Sequence, residues 1–166
     1  DSMAFAPGHM FQILTKRPLR MHYLIKAIPM MYSRAFPKWP LSNVHLGISA
    51  EDQKTFDERV PMLLQTPAAA RFISYEPMLG PIDNLDDWIR AKDTCSSDFP
   101  NDGISWVICG GESGPNFRPM ELNWLTSIVD QCKAAGVPVF VKQDSGRFPG
   151  RQGRIPDDYW IKEFPR

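Results

Sequence analysis

Cysteine is scarce in this chain, and its scarcity removes whole classes of protein. Cys95, Cys109 and Cys132 are odd in number, lie well apart and form no C-x-x-C pair. That argues against a disulfide framework and suits a reducing cytoplasm. Long apolar runs are missing too: none approaches the ~20 residues needed to cross a bilayer, and the start is not signal-like. Net charge is absent, since nineteen basic and nineteen acidic residues cancel, so no global field pulls the protein towards nucleic acid or a membrane surface. Of the three histidines, His9 precedes a strand and His45 lies within one. Neither has a Cys, His or carboxylate at metal-ligand spacing, and His22 reads as a helix-surface residue. A serine-hydrolase elbow is lacking, because Gly111-Glu112-Ser113-Gly114 puts the serine at the wrong spacing for G-x-S-x-G. The expectation is a soluble, cytoplasmic protein.

What is present is an ordinary globular composition, 43% hydrophobic and 23% charged over 166 residues, enough for one domain with a sizeable core. Strand-like runs start near residues 11, 44, 71, 104 and 138, at intervals close to the ~30 residues of a β-helix-β unit. Between them lie helical patterns. Met21, Leu24, Ile25 and Ile28 follow Arg20 and lead to Pro29, which ends or kinks that helix. Phe56, Val60, Leu63 and Leu64 form a second face, in which Pro61 is expected to kink the helix or start a second segment. Leu122, Leu125, Val129 and Cys132 form the third, stopped by Gly136. The implied fold is α/β, with parallel β/α units forming a partial, TIM-like barrel with five strands, too few for a closed barrel of eight.

Trp106-Val-Ile-Cys-Gly-Gly-Glu-Ser-Gly114 organises the functional reading. Its apolar run reads as a strand buried on both faces. Gly110 and Gly111 permit unusual backbone angles and close approach of a ligand, presenting Glu112 and Ser113 on a tight turn. The other strands exit through Lys16 and Arg17, through Ser49, Glu51 and Asp52, through Glu76, and through Lys142 and Gln143. In a parallel array these exits share one rim, the edge where ligands bind in such folds. Cations and carboxylates around a common hollow suit a charged organic ligand carrying amino and carboxylate groups.

Three stretches stand apart. Asp1 to Gly8 looks like the end of a helix cut short, and residues 1–144 are expected to form a barrel portion lacking its N-terminal strands. Residues 83–103 carry Asp83, Asp86, Asp87, Asp93, Asp98 and Asp102. They read as an acidic surface insertion with a helical turn or two, without the D-x-D-x-D-G pattern of a calcium loop. Residues 145–166 form a Gly/Pro-rich tail that interleaves Arg147, Arg151, Arg154, Lys162 and Arg166 with Phe148, Tyr159, Trp160 and Phe164, an arrangement that grips single-stranded nucleic acid.

Phe11-Gln-Ile-Leu-Thr-Lys-Arg-Pro18, Leu46-Gly-Ile-Ser-Ala-Glu-Asp-Gln53, Arg71 to Pro81, Trp106 to Gly114 and Val141-Lys-Gln143 together resemble a phage-associated family of radical-SAM-like proteins of unassigned function. The resemblance implies S-adenosylmethionine and a [4Fe-4S] cluster as cofactors, with reductive cleavage giving a 5′-deoxyadenosyl radical. The three-cysteine motif that binds such a cluster is not in this chain, so the resemblance places the cluster ligands in a missing N-terminal part. It also implies roles. Lys16 or Arg17 would pair with a carboxylate or phosphate, Ser49 and Glu51 would hydrogen-bond hydroxyls, and Glu76 and Glu112 would bind amino groups. The substrate is not readable from the residues; a nucleic-acid base or lesion is compatible with the phage association and the basic tail, while overall neutrality gives it no support. Two other readings stand beside it: a barrel hydrolase using paired carboxylates among Glu51, Glu76 and Glu112, and a non-catalytic phage-associated binding protein.

Overall fold

The computed structural model describes residues 2–31, 39–89 and 103–165. Five strands, β1 (Phe11–Thr15), β2 (Val44–Ser49), β3 (Ala70–Tyr75), β4 (Trp106–Cys109) and β5 (Val139–Val141), form one sheet in the order β1-β2-β3-β4-β5. Every neighbouring pair is parallel, and the sheet is open, a partial-barrel-like α/β arrangement. The helices are α1 (Pro18–Met31), α2 (Gln53–Leu64), α3 (Leu85–Ile89) and α4 (Leu122–Ala135). None of the helices among the described residues is long and apolar enough to cross a membrane.

Parallel strands must be covered on both faces, and the burial of β2 and β3 shows it. All six residues of β2 are buried, and so are Arg71 to Tyr75 of β3. On one face Leu46, Ile48, Ile73, Val107, Val139 and Val141 share the main core with Phe56, Val60 and Leu63 of α2 and with Leu125, Ile128 and Val129 of α4. The opposite face is aromatic: Phe72 stacks on Trp106 at 5.6 Å between centroids, and Phe140 and Phe164 lie 6.5 and 5.8 Å from Trp106. Gly47 makes room for this layer, since a Cβ there would stand 2.4 Å from the Phe72 ring.

α1 begins earlier than its apolar period suggests, at Pro18, because proline is well suited to the first helical position, where its missing N–H costs nothing. It also runs past Pro29 to Met31. Met21 and Ile25 are buried, whereas Leu24 is 59% exposed. The expected surface position of His22 is wrong. It lies one step from Met21 on the inward face, is buried, and places Nδ1 3.3 Å from the Thr66 hydroxyl. The Thr66 carbonyl accepts from Nε and a terminal nitrogen of the buried Arg71, at 3.2 and 2.9 Å. α2 is a single helix through Pro61. Asp52 caps it, accepting from the Thr55 N–H at 2.8 Å while the Thr55 hydroxyl accepts from the Asp52 N–H at 3.1 Å, a capping box that turns Asp52 into a structural residue. α4 ends as expected at Gly136, with φ of 69°.

The first residues are turns rather than a helix end. Ala6 donates to Met3 and His9 to Ala6, and the Asn43 amide takes up the carbonyls of Met3, Ala6 and His9 at 3.1 Å each. Of the acidic stretch at 83–103, Leu85–Ile89 forms α3, while residues 90–102, including Asp93, Asp98, Asp102 and Cys95, lie outside the described residues. The tail wraps the sheet edge. Val141 donates to Ile161 and Glu163 to Val139, and the Trp106 indole donates to the Glu163 carbonyl at 3.0 Å.

Candidate functional site

The register brings the strand exits to one edge. Thr15 pairs with Ile48, Ser49 with Ser74, Tyr75 with Cys109 and Cys109 with Val141. The ladder continues one step through Ala50 N–H to Ser74, Gly110 N–H to Tyr75 and Lys142 N–H to Cys109. Side chains alternate along a strand, so Lys16, Ser49, Glu51, Ser74, Glu76, Gly110 and Lys142 fall on the same face of the sheet at its C-terminal edge.

These groups close on one another in two sets. In the first, Lys16 Nζ lies 2.5 Å from Glu51 Oε1, and Arg59 reaches Glu51 Oε2 at 3.0 Å and the Ser49 carbonyl at 2.7 Å. The Lys16 contact is a close charge pair without hydrogen-bond alignment, leaving the buried Oε1 with no directed donor. In the second, Lys142 Nζ is 2.9 Å from Glu76 Oε1, and the Gln143 amide nitrogen is 3.4 Å from that oxygen. The carboxylates are sunk, with side chains 11% and 15% exposed, while Lys16 and Lys142 are 62% and 50% exposed. Each lysine therefore reaches down from water on a flexible stem and can swing away while its partner stays fixed. Arg17 is exposed and forms no ion pair among the described residues.

The Gly-Gly-Glu-Ser turn does something other than expected. Neither Gly110 nor Gly111 has a positive φ, and the chain approaching them is the protein's own. A Cβ at Gly111 would lie 2.3 Å from Ser145 N, and one at Gly110 would lie 2.9 Å from the Gln143 carbonyl. Glu112 is fully engaged. Arg118 donates to it from Nε and from its backbone N–H, both at 2.8 Å, and from a terminal nitrogen at 2.7 Å. The Arg118 side-chain and backbone hydrogen bonds hold the Glu112 carboxyl down to about 2. Ser113 bridges to Gly146. Glu112 and Ser113 thus shape a loop, and the Glu112 carboxylate is taken up by Arg118.

Gln143 is the residue whose importance the sequence understated. It is 1% exposed, donates to the Gly111 carbonyl at 2.9 Å and accepts from Gly150 N–H at 2.8 Å. It thereby ties the Glu76 end of the rim to the loop that follows β5. Arg59 and Arg118 were missed because each pairs across a turn or a helix, at separations without a recognised spacing rule. Asp144 and Arg154 form a further ion pair at 2.8 Å.

Among the described residues no group of three His, Cys, Asp or Glu side chains is gathered to hold a metal. Cys109 and Cys132 are both buried; burial pushes both thiols up, Cys132 to about 12, which suits core packing rather than iron ligation. The described residues therefore do not fit a [4Fe-4S] cluster. A cavity of about 890 Å³ lies at the other edge of the sheet, lined by His45, Ser105, Pro138, Glu163 and Phe164 among others and by none of the rim residues.

Comparison with curated proteins and with solved structures returns no match. Residues 1–159 match the model of the family described as Protein of unknown function (DUF5131), and the chain, matched over nearly its whole length, belongs to that family.

Proposed function

We propose that the C-terminal rim of the sheet binds a zwitterionic small molecule, and that S-adenosylmethionine, the cofactor implied by the resemblance to radical-SAM-like proteins, is that ligand. The observation that carries this reading is the alternation of sunken carboxylates and swinging lysines on one face of the edge. An amino group displaces Lys142 from Glu76, or Lys16 from Glu51, and the released ammonium is free to meet the ligand's carboxylate. Ser49 and Ser74, neighbours in register, offer hydroxyls to a ribose. When bound, S-adenosylmethionine supplies an activated group for transfer or radical formation; the described residues bind and orient it, and no cluster-dependent step is assigned to them. The hydrolase reading loses Glu112 as its proton donor, because the Arg118 hydrogen bonds keep that carboxyl ionised at neutral pH.

Titration calorimetry with S-adenosylmethionine tests the proposal. Wild type is expected to bind saturably, and Glu76→Gln and Glu51→Gln to weaken binding roughly tenfold or more, the scale of one charged hydrogen bond. Glu112→Gln should bind like wild type. Absence of saturable binding, or equal affinity in all four proteins, refutes the reading.

A further inference from the structure

Two loops leave the rim side by side. Gly114 N–H donates to Gly146 and Gly146 N–H donates to Glu112, both at 3.0 Å, so residues 113–120 and 145–154 rise from one short bridge. Together they contain Arg118, Arg147, Arg151 and Arg154 and no aspartate or glutamate, in a chain whose overall charge is zero. Arg118 and Arg154 are spoken for by Glu112 and Asp144. Arg147 and Arg151 are exposed and form no ion pair among the described residues. Beside them Phe117 is 38% exposed and Phe148 62% exposed, with the Arg147 guanidinium 5.8 Å from the Phe148 ring.

Several other tail side chains are paired within the protein. Lys162 sits 3.5 Å from the Trp160 ring and 4.6 Å from Phe140, and donates to the Val141 carbonyl. Tyr159 is covered by Lys133 at 5.0 Å, and Phe164 stacks on Phe140 at 5.3 Å. Among the described tail residues, the ledge 147–151 pairs an exposed ring with exposed cations that form no ion pair, and the adjoining 113–120 loop carries Phe117.

That ledge is anchored from below. Asp144 N–H donates to Arg151 at 2.8 Å, Gly150 N–H to Gln143, and Met120 N–H to the Ser145 hydroxyl at 2.9 Å. Exposed phenyl rings flanked by uncompensated guanidinium groups meet the two features of a single strand, stackable bases and a charged backbone. We infer that the paired loops form a binding ledge for single-stranded nucleic acid, with Phe117 and Phe148 stacking on bases and Arg147 and Arg151 meeting phosphates. A folded duplex offers the phosphates but hides its base faces, so it meets only half of the ledge. The inference is independent of what the rim binds.

Fluorescence anisotropy with labelled oligodeoxythymidine of about 12 nucleotides, within the span of single-strand sites, tests it without S-adenosylmethionine. Wild type is expected to bind the single strand more tightly than a duplex of equal length. Phe148→Ala should weaken binding about tenfold, and Arg147→Ala/Arg151→Ala should flatten the slope of log affinity against log salt by about 1.4, two phosphate contacts' worth. Lys54→Ala, on the exposed side of α2, should leave oligonucleotide binding unchanged. No binding by wild type at low salt, equal binding of duplex and single strand, or wild-type behaviour of both ledge variants overturns the inference.

Discussion

Replacing Asp144 by alanine tests how the ledge is held. The Asp144 side chain is 4% exposed. One oxygen accepts from Ser145 N–H at 2.7 Å and from Arg154 at 2.8 Å; the other accepts from Arg154 N–H at 2.8 Å and Nε at 2.9 Å. Burial raises the carboxyl pKa, but the Arg154 and Ser145 hydrogen bonds outweigh it and the net shift is downward. Alanine orphans two backbone donors and frees a guanidinium. Hydrogen bonds to charge contribute about 1.5–3 kcal/mol each. The Arg154 side chain is 52% exposed and regains water, so its share is discounted. The loss comes to about 2–4 kcal/mol, roughly 4–16 °C in Tm for a domain of this size. Thermal unfolding by circular dichroism measures it, and faster tryptic cleavage after Arg147 and Arg151 reports loosening of the loop. Because the folded pKa is depressed, this stabilisation is fully present above the unfolded value of about 3.9 and is lost as pH falls through the folded value. The gap between wild type and variant should hold from neutral pH to about pH 4 and close below it. A Tm within about 2 °C of wild type at neutral pH would refute the argument.

Two further outcomes follow from packing and burial. Gly111→Ala forces a Cβ against the Ser145 backbone, which cannot yield as a flexible side chain would. A loss of about 1–3 kcal/mol is expected in denaturant unfolding, and unchanged stability would show that the 110–111 and 143–145 segments are not in that contact. Burial lowers the pKa of His22, with Lys26 adding to the effect, and lowers that of His45. Unfolding then takes up protons as pH drops below about 6.5, so stability is full above that value and declines beneath it. The decline between about pH 7.5 and pH 5.5 should shrink in His22→Gln/His45→Gln, and an identical decline in the double variant would remove these residues from the explanation.

The amino-acid sequence by itself determined the parallel β/α organisation and which residues stand at the strand exits. Both are local properties: a two-residue alternation, a helical repeat, and punctuation by Pro18 and Gly136 report on a few neighbouring residues at a time. The capping box at Asp52 and Thr55 was equally local and open to reading. Tertiary structure alone decided how the exits are used. Glu112, prominent in its motif, is taken up by Arg118, whereas Gln143, plain in sequence, connects Glu76, Gly111 and Gly150. Likewise Gly110 and Gly111 admit the 143–145 backbone instead of a ligand, and His22 turns inward onto Thr66. A carboxylate's role depends on which donors arrive from elements far along the chain, and that arrangement is set by register and packing, which leave no periodic trace in the residues themselves.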